Sequence, residues 1–374
     1  MKRIIYADNA ATTKLDIDAF EAMKPYLLDE YGNASQPYSF SRSPKKALQE
    51  ARQIIASCIN AEPEEIYFTS GGTESDNWAI KGVAFASQQR RNIVTTAFEH
   101  HAVLRACASI EAQGHPVAYI NPDLNGFITV TALDAIVSSE TMLVSVMMSN
   151  NEIGTIQPIQ QLAQIAHNSG ALFHTDAVQC VGHIPIDVKE LDVDMLSASA
   201  HKFNGPKGIG FLYIKNGTPI EPLLNGGAQE KGYRAGTENV AAIVGMAVAL
   251  KKNCRDMGAV SAHISHLEGT LIDSLNSAGI SYVRNGSGNL MPGNMSLSFP
   301  GLEGETILHR LDLMGIQVST GSACDSENTQ ISHVLRAIGA TEQIALGTIR
   351  VSLGRDNTID DISAISSAIY KIVK

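Results

Sequence analysis

From about residue 45 to about residue 215 the chain alternates short apolar runs with amphipathic stretches, and this alternation most limits the folds open to it. Helical spacing of apolar residues predicts helices over Ala47–Ile59, Thr73–Ser87, His101–Gln113 and Ile159–Asn168. Between them, β-branched and aromatic runs predict strands over Ile66–Thr69, Ile93–Thr96, Met142–Met148, Leu172–Thr175, Met195–Ala200 and Phe211–Ile214. Strands separated by helix-length crossovers pair in parallel, and continuous apolar runs such as Met142–Met148 need cover on both faces. The expected fold class is therefore α/β, a mostly parallel mixed sheet between helical layers. Ligands of such sheets gather beyond the carboxyl ends of the strands, where Ser70, Asn150, Asp176 and His201 fall.

A long helical stretch, Val240 to Ala278, is followed by a change of character. Strands are expected at Asn294–Phe299, Ile316–Ser319 and Thr348–Leu353, and helices at Glu305–Leu313 and Asp360–Val373, as in a compact α+β unit. The 374 residues exceed the usual size of one domain, so a large and a smaller domain are expected, with a ligand cleft between them. A formal charge of −10 without basic runs or aromatic ladders argues against nucleic acid as a partner. No apolar run approaches the roughly 20 residues of a membrane span, and Asp8 interrupts the N-terminal apolar run too early for a signal peptide. A cytoplasmic location is the expectation.

Two strand tips carry the chemistry. One apolar run ends in Asp176 and another runs into His201 and Lys202, so a carboxylate and an amine reach the same edge of the sheet. Pyridoxal phosphate needs that pair: a lysine for its Schiff base and an acid to keep its pyridine nitrogen protonated. The tight turn Phe203-Asn204-Gly205-Pro206-Lys207-Gly208 fixes where Lys202 points, and Lys207, inside the turn, is the rival lysine. Ser70-Gly71-Gly72-Thr73 joins a strand to a helix, where backbone N–H groups and the positive helix terminus make an anion site. His100, between a strand and a helix, could stack on a planar ring and shuttle protons or simply cap the helix, and His101 suits either role on spacing alone.

The five cysteines, Cys58, Cys107, Cys180, Cys254 and Cys324, are odd in number and nowhere closely spaced, which speaks against a disulfide framework or a zinc site. Cys58 and Cys107 fit helical core positions. Cys324 differs, because Ser319 to Thr329 carries almost no apolar surface and is expected to form a mobile loop. A thiol there suits a nucleophile that reaches into a cleft and swings out again.

With these residues in place, the chain resembles the cysteine desulfurases of the NifS/IscS type, in the class V aminotransferase family of fold-type I pyridoxal-phosphate enzymes. The resemblance rests on Asp8-Asn9-Ala10-Ala11-Thr12-Thr13, Thr69-Ser70-Gly71-Gly72-Thr73-Glu74-Ser75-Asp76-Asn77 and Asn150-Asn151-Glu152-Ile153-Gly154. It continues through Asp176-Ala177-Val178-Gln179, Ser199-Ala200-His201-Lys202, Arg234-Ala235-Gly236-Thr237-Glu238-Asn239, Gly321-Ser322-Ala323-Cys324 and Ile349-Arg350-Val351-Ser352-Leu353-Gly354. It implies a large cofactor-binding domain over 13–255 and a small domain made of 1–12 and 256–374 that carries the cysteine loop. Lys202 would be the Schiff-base lysine, Asp176 the partner of the pyridinium nitrogen, and Gln179 the partner of the ring hydroxyl. His100 would stack on the ring and move protons, while Gly72, Thr73, Ser199 and His201 would bind the phosphate. Asn151, also a cofactor contact, and Arg350 would hold the substrate carboxylate, Arg350 as a two-pronged donor.

The resemblance further implies a homodimer in which Thr237 reaches the neighbouring subunit's phosphate. L-cysteine would become L-alanine, with its sulfur left as a persulfide on Cys324 and passed to an acceptor such as an iron–sulfur scaffold or a thiolation protein. Ala34, Tyr38, Ala228 and Lys231 depart from residues usual in the family, although none is a catalytic position. A selenocysteine lyase or another class V enzyme would use the same Lys202 and Asp176 without requiring Cys324, and a catalytically reduced partner protein in cluster assembly is the reading from a different class.

Overall fold

In the computed structural model, residues 4–87, 91–321 and 331–374 are described. The strands in chain order are β1 (Ile5–Tyr6), β2 (Ile66–Thr69), β3 (Asn92–Thr96), β4 (Val117–Ile120), β5 (Thr141–Ser145) and β6 (Leu172–Asp176). They continue as β7 (Met195–Ser199), β8 (Gly210–Ile214), β9 (Val283–Asn285), β10 (Asn294–Ser298), β11 (Ile316–Gln317) and β12 (Thr348–Ser352). Seven of them form one sheet in the order β2-β8-β7-β6-β5-β3-β4. The sheet is parallel except at β8, which runs antiparallel to both β2 and β7. The reason is local: only a turn separates β7 from β8, and a connection that short can join antiparallel neighbours alone.

Alternate residues of the sheet feed two layers of a first core, one on each face. Leu143, Met195 and Leu212 pack with Trp78, Ile80 and Cys107 on one side. Val144, Leu196 and Phe211 pack with Ile55, Leu162 and Leu250 on the other. The helices Gly72–Ala86 and His101–Glu111 supply the first cover, and Arg42–Cys58, Ile159–Asn168 and the start of Val240–Ser277 supply the second. Truncating a fully buried phenylalanine such as Phe211 costs about 3–5 kcal/mol, a large share of a typical domain's stability. The carboxyl ends of β6 and β7 are therefore held on a stiff frame.

A second core surrounds the antiparallel sheet β12-β10-β9 and the parallel pair β1-β11. Ile5 and Ala7 belong to it, together with Met295, Leu297, Phe299, Ile349 and Val351. β10 and β12 are neighbours, as their sequences suggest, with Ser296 opposite Arg350. The helix Val240–Ser277 links the two cores without a break: Met246 and Leu250 lie in the first, Leu267 and Leu271 in the second. Val334, Leu335 and Ile338, although late in the chain, pack into the first core.

Cys107 and Cys180 are buried, Cys58 and Cys254 half-buried, and all four are free thiols. Cys58 and Cys254 are neighbours between two helices, each thiol affecting the other's ionisation, a pairing that their spacing in the chain does not reveal. Among the described residues, no helix is long and apolar enough to cross a membrane.

Candidate active site

The anion site forms where β2 ends. Gly71, with φ at 148°, caps the helix Gly72–Ala86, and a Cβ added to Gly72 would lie 2.7 Å from Val178 Cγ2. Ser199, at the tip of β7, lies against the same two glycines. The backbone therefore passes close beneath β6 and β7, with its N–H groups at a positive helix end and Thr73 exposed beside them. Burial works against the charge of Glu74, but hydrogen bonds from Arg234 and Ser70 prevail and hold its carboxyl below the usual range. The Arg234 Nε to Glu74 Oε1 contact, at 2.7 Å, ties the segment containing Thr237 to this first turn. Thr237 itself is exposed.

β7 stops at Ser199, one residue before the expected end, and the chain curls into a single 3-10 turn over Ala200–Lys202. The N–H groups of Phe203 and Gly205 both bond the Ala200 carbonyl, and at Gly205 a Cβ would fall 2.8 Å from the Ala200 Cβ. That curl lifts Lys202 off the sheet, so that its Nζ donates to the carbonyls of Ala10 and Ala11. Lys207 lies exposed within the following turn. His201 Nδ1 is 3.1 Å from Thr12 Oγ1. Burial, reinforced by Lys202 and Lys207, pushes His201 down to about 4, so it is a neutral hydrogen-bonding group near pH 7.

Asp176 ends β6, 5% exposed, its Oδ1 accepting from the Val178 N–H at 2.9 Å. Burial raises its pKa, while His100 and Lys202 pull the other way. His100 also caps the helix His101–Glu111, its Nδ1 accepting from the Ala102 N–H at 3.2 Å, so the capping role and a place beside Asp176 coexist. An accepting Nδ1 leaves the proton of the neutral ring on Nε2. Burial lowers the pKa of His100 against the pull of Asp176. His101 turns elsewhere and packs on His333, with ring centroids 4.7 Å apart. Gln179 Nε2 donates to the Ala10 carbonyl at 3.1 Å.

Behind Asp176 lies a buried polar row that the sequence reading assigned no role. Ser145, His174 and Ser197 are hydrogen-bonded across three strands at 2.9 Å per contact, and Asp76 faces them, its Oδ1 3.7 Å from His174 Nε2. Asp76, His100 and Asp176 each place one ligand-type atom within 4.8 Å of the others. Burial, then the charge of Asp176, holds the Asp76 carboxyl well above its usual range. Each carboxyl disfavours ionisation of the other, and burial favours the protonated form of Asp76.

At the other end of the site Arg350 is 6% exposed. Its guanidinium donates to Asp8 Oδ1 at 2.7 Å and to the Asn151 carbonyl at 3.0 Å, while its Nε is buried without a partner among the described residues. Asp8 thus already presents one carboxylate to the group expected to receive another, a role missed from sequence because it needs the first residues laid beside β12. Asn150 is committed to the fold, donating to the Phe98 carbonyl and accepting from the N–H groups of Glu152 and Ile153. Between the two cores lies a cleft, with Ala10, Gln179 and Lys202 on one side and Asn294 and Leu353 on the other. Cys324 lies outside the described residues.

The donor set fits pyridoxal phosphate. A buried carboxyl waits at one strand tip, an amine at the next, and a backbone cradle that a Cβ would fill lies alongside. The Aminotransferase class-V family model matches residues 5–365. The chain is 45% identical to the cysteine desulfurase IscS of Clostridium botulinum over 378 aligned residues, covering 100% of this chain and 95% of that protein. A solved NifS-like protein superposes with a TM-score of 0.94 at 37% identity, covering 99% of each chain. A structure of SspA in complex with cysteine superposes at 0.85 with 34% identity, covering 96% of this chain and 100% of that one.

Proposed function

The chain belongs to the aminotransferase class-V family and is a cysteine desulfurase, and from that premise we propose how its own residues divide the work. The observation that carries the assignment is the meeting of Lys202, Asp176 and His100 beside the Gly71–Gly72 cradle, with Arg350 on the Asn151 carbonyl at the other end of the site. When bound, pyridoxal phosphate supplies the electron sink that lets an amino acid lose its Cα proton and open its Cβ–S bond.

Lys202 would hold that group and, once displaced by the substrate amine, stand as the base for the Cα proton. Asp176 would keep the pyridine nitrogen protonated, and burial of Asp76 behind it disfavours a second negative charge there. Gly72, Thr73, Ser199 and His201 would take the phosphate. Gln179 would meet the ring hydroxyl, and His100, neutral with Nε2–H, would lie against the ring and pass protons. Arg350 and Asn151 would seat the carboxylate of L-cysteine. The Cys324 thiolate would then attack the substrate sulfur: the S–S bond forms as the Cβ–S bond breaks, the electron pair stays with the carbon side, and a proton completes alanine.

Thr237, exposed on its own chain, would serve the phosphate of a second copy, and an acceptor protein thiol would remove the sulfur from Cys324. The test is Cys324→Ser. This variant should bind pyridoxal phosphate and L-cysteine as the parent does, read from the cofactor's visible spectrum, yet accumulate no persulfide. Persulfide formed at the parental rate would move the nucleophile to another cysteine.

A further inference from the structure

Glu152 sits between the substrate end of the site and the core, and the division of labour above leaves it without a task. Its N–H is pinned by Asn150 Oδ1 at 2.9 Å, so the carboxyl has a fixed origin. The side chain is 4% exposed, and its Oε2 accepts from Ser332 Oγ at 2.5 Å. Gly321 passes so close to the same oxygen that a Cβ there would push the Glu152 carboxyl aside. Among the described residues, the charge acting on Glu152 is that of Arg350 on β12, and the preceding residue's carbonyl is one of Arg350's acceptors. Asp8 lies on the guanidinium of Arg350. Among the described residues, the other groups packed on Glu152, namely Ser332, Gly321 and Asn150, carry no charge.

We propose that Glu152 is a proton-linked positioning residue: it takes up a proton when a carboxylate ligand seats on Arg350 and gives it back when the ligand leaves, and so sets the pH range over which cysteine binds. The inference rests on the reading that Arg350 anchors the substrate carboxylate. Burial pushes the Glu152 carboxyl up to about 7, against the pull of Ser332 and Arg350, so its charge changes near neutral pH. An ionised Glu152 would make a substrate carboxylate the third anion, with Asp8, around one guanidinium. A seated ligand both shares the charge of Arg350 and adds a negative neighbour, and each effect favours protonated Glu152. Reciprocity then requires that ionisation of Glu152 weaken ligand binding. The sign follows: affinity is unaffected by Glu152 well below about 7 and falls as pH rises through it, by at most about tenfold per pH unit for one proton.

The probe is L-alanine, which has the carboxylate and amine of the substrate but no sulfur, so Cys324 does not enter the result. Its binding to the holoenzyme would be followed by the cofactor's visible spectrum from about pH 6 to about pH 9, and by calorimetry in two buffers of different ionisation heat. Glu152→Gln keeps the shape and an acceptor for Ser332. It should lack part of the parental loss of affinity above neutrality and should take up fewer protons, by up to about one, on binding. Contributions from the ligand amine are common to both proteins and cancel in that difference. Ser332→Ala removes a hydrogen bond that favours the ionised form, so its loss of affinity should begin at higher pH than in the parent. Parallel pH profiles and equal proton uptake in the parent and Glu152→Gln would overturn the inference. If instead Arg350→Ala binds alanine as tightly as the parent, the carboxylate-anchor reading is what fails.

Discussion

The two ends of the site are built on different plans. At the cofactor end, Gly72, Asp176, Ser199 and Lys202 each lie at or just beyond the tip of a strand whose interior is fully buried; β6 and β7 are parallel neighbours, and β2, running the same way beyond the antiparallel β8, ends at the same edge. At the substrate end, Arg350 on β12 meets Asp8 near the N-terminus and the Asn151–Glu152 turn beyond β5, with Gly321 and Ser332 against Glu152. The first end is a property of one sheet; the second exists only where the second core meets the first. A rigid edge suits a permanently held group, whereas a junction of separate segments suits a ligand that must come and go.

The largest expected effect lies at the rigid end. Lys202→Ala should lose covalently held cofactor and lower desulfurase activity by roughly a thousandfold or more, the scale on which removal of a positioned acid–base group acts. Borohydride reduction followed by peptide mapping checks the position. Label on Lys207 would break the comparison, since Lys207 is a turn residue and not part of the strand-tip row.

That row was legible in the sequence for a physical reason. An apolar run announces a buried strand, the residue ending the run is at the sheet's edge, and parallel order is enforced by helix-length crossovers. Asp176, His100, Lys202 and the Gly71–Gly72 turn could all be placed by local spacing. What spacing could not supply was register between distant segments: Asp8 against Arg350, Asp76 behind Asp176, Cys58 against Cys254. Short or half-exposed elements escaped for a related reason. The helix Ile17–Leu28 contains Pro25 and exposes Ile17, Leu27 and Leu28, so its apolar pattern does not mark a buried face. The edge strand β4 buries only Ile120 fully. Its signal is correspondingly weak.

The next effect in size sharpens the contrast from the substrate end. Arg350→Ala removes a charge-assisted contact to the ligand carboxylate, which typically contributes about 1.5–3 kcal/mol. kcat/KM for cysteine should fall by roughly ten- to a hundredfold or somewhat more, with cofactor content unchanged. Lys at this position restores the charge but not the two-pronged geometry, so recovery should be partial. Loss of cofactor from the Ala variant would show that the two ends are one unit, and steady-state kinetics near the parental values would leave Asn151 as the main anchor.

The smallest effects come from two glycines, one at each end, that are crowded in different ways. At Gly72 a new methyl group would meet Val178 Cγ2 at 2.7 Å. Valine has little rotamer freedom, and its N–H is held by Asp176, so the backbone of the anion cradle must give way. Overpacking of this kind typically costs about 1–3 kcal/mol, which for Gly72→Ala should appear as weaker cofactor retention, by roughly five- to a hundredfold. At Gly321 the neighbour is the far end of the Glu152 side chain, which can swing aside. The cost is its hydrogen bond from Ser332, about 0.5–1.5 kcal/mol, or roughly two- to tenfold in kcat/KM with cofactor content intact. Cofactor absorbance relative to protein, measured on both variants during dialysis, separates the cases. Should Gly321→Ala shed cofactor as fast as Gly72→Ala, the substrate junction would be holding the cofactor edge in shape, and the division between a rigid end and an assembled one would not stand.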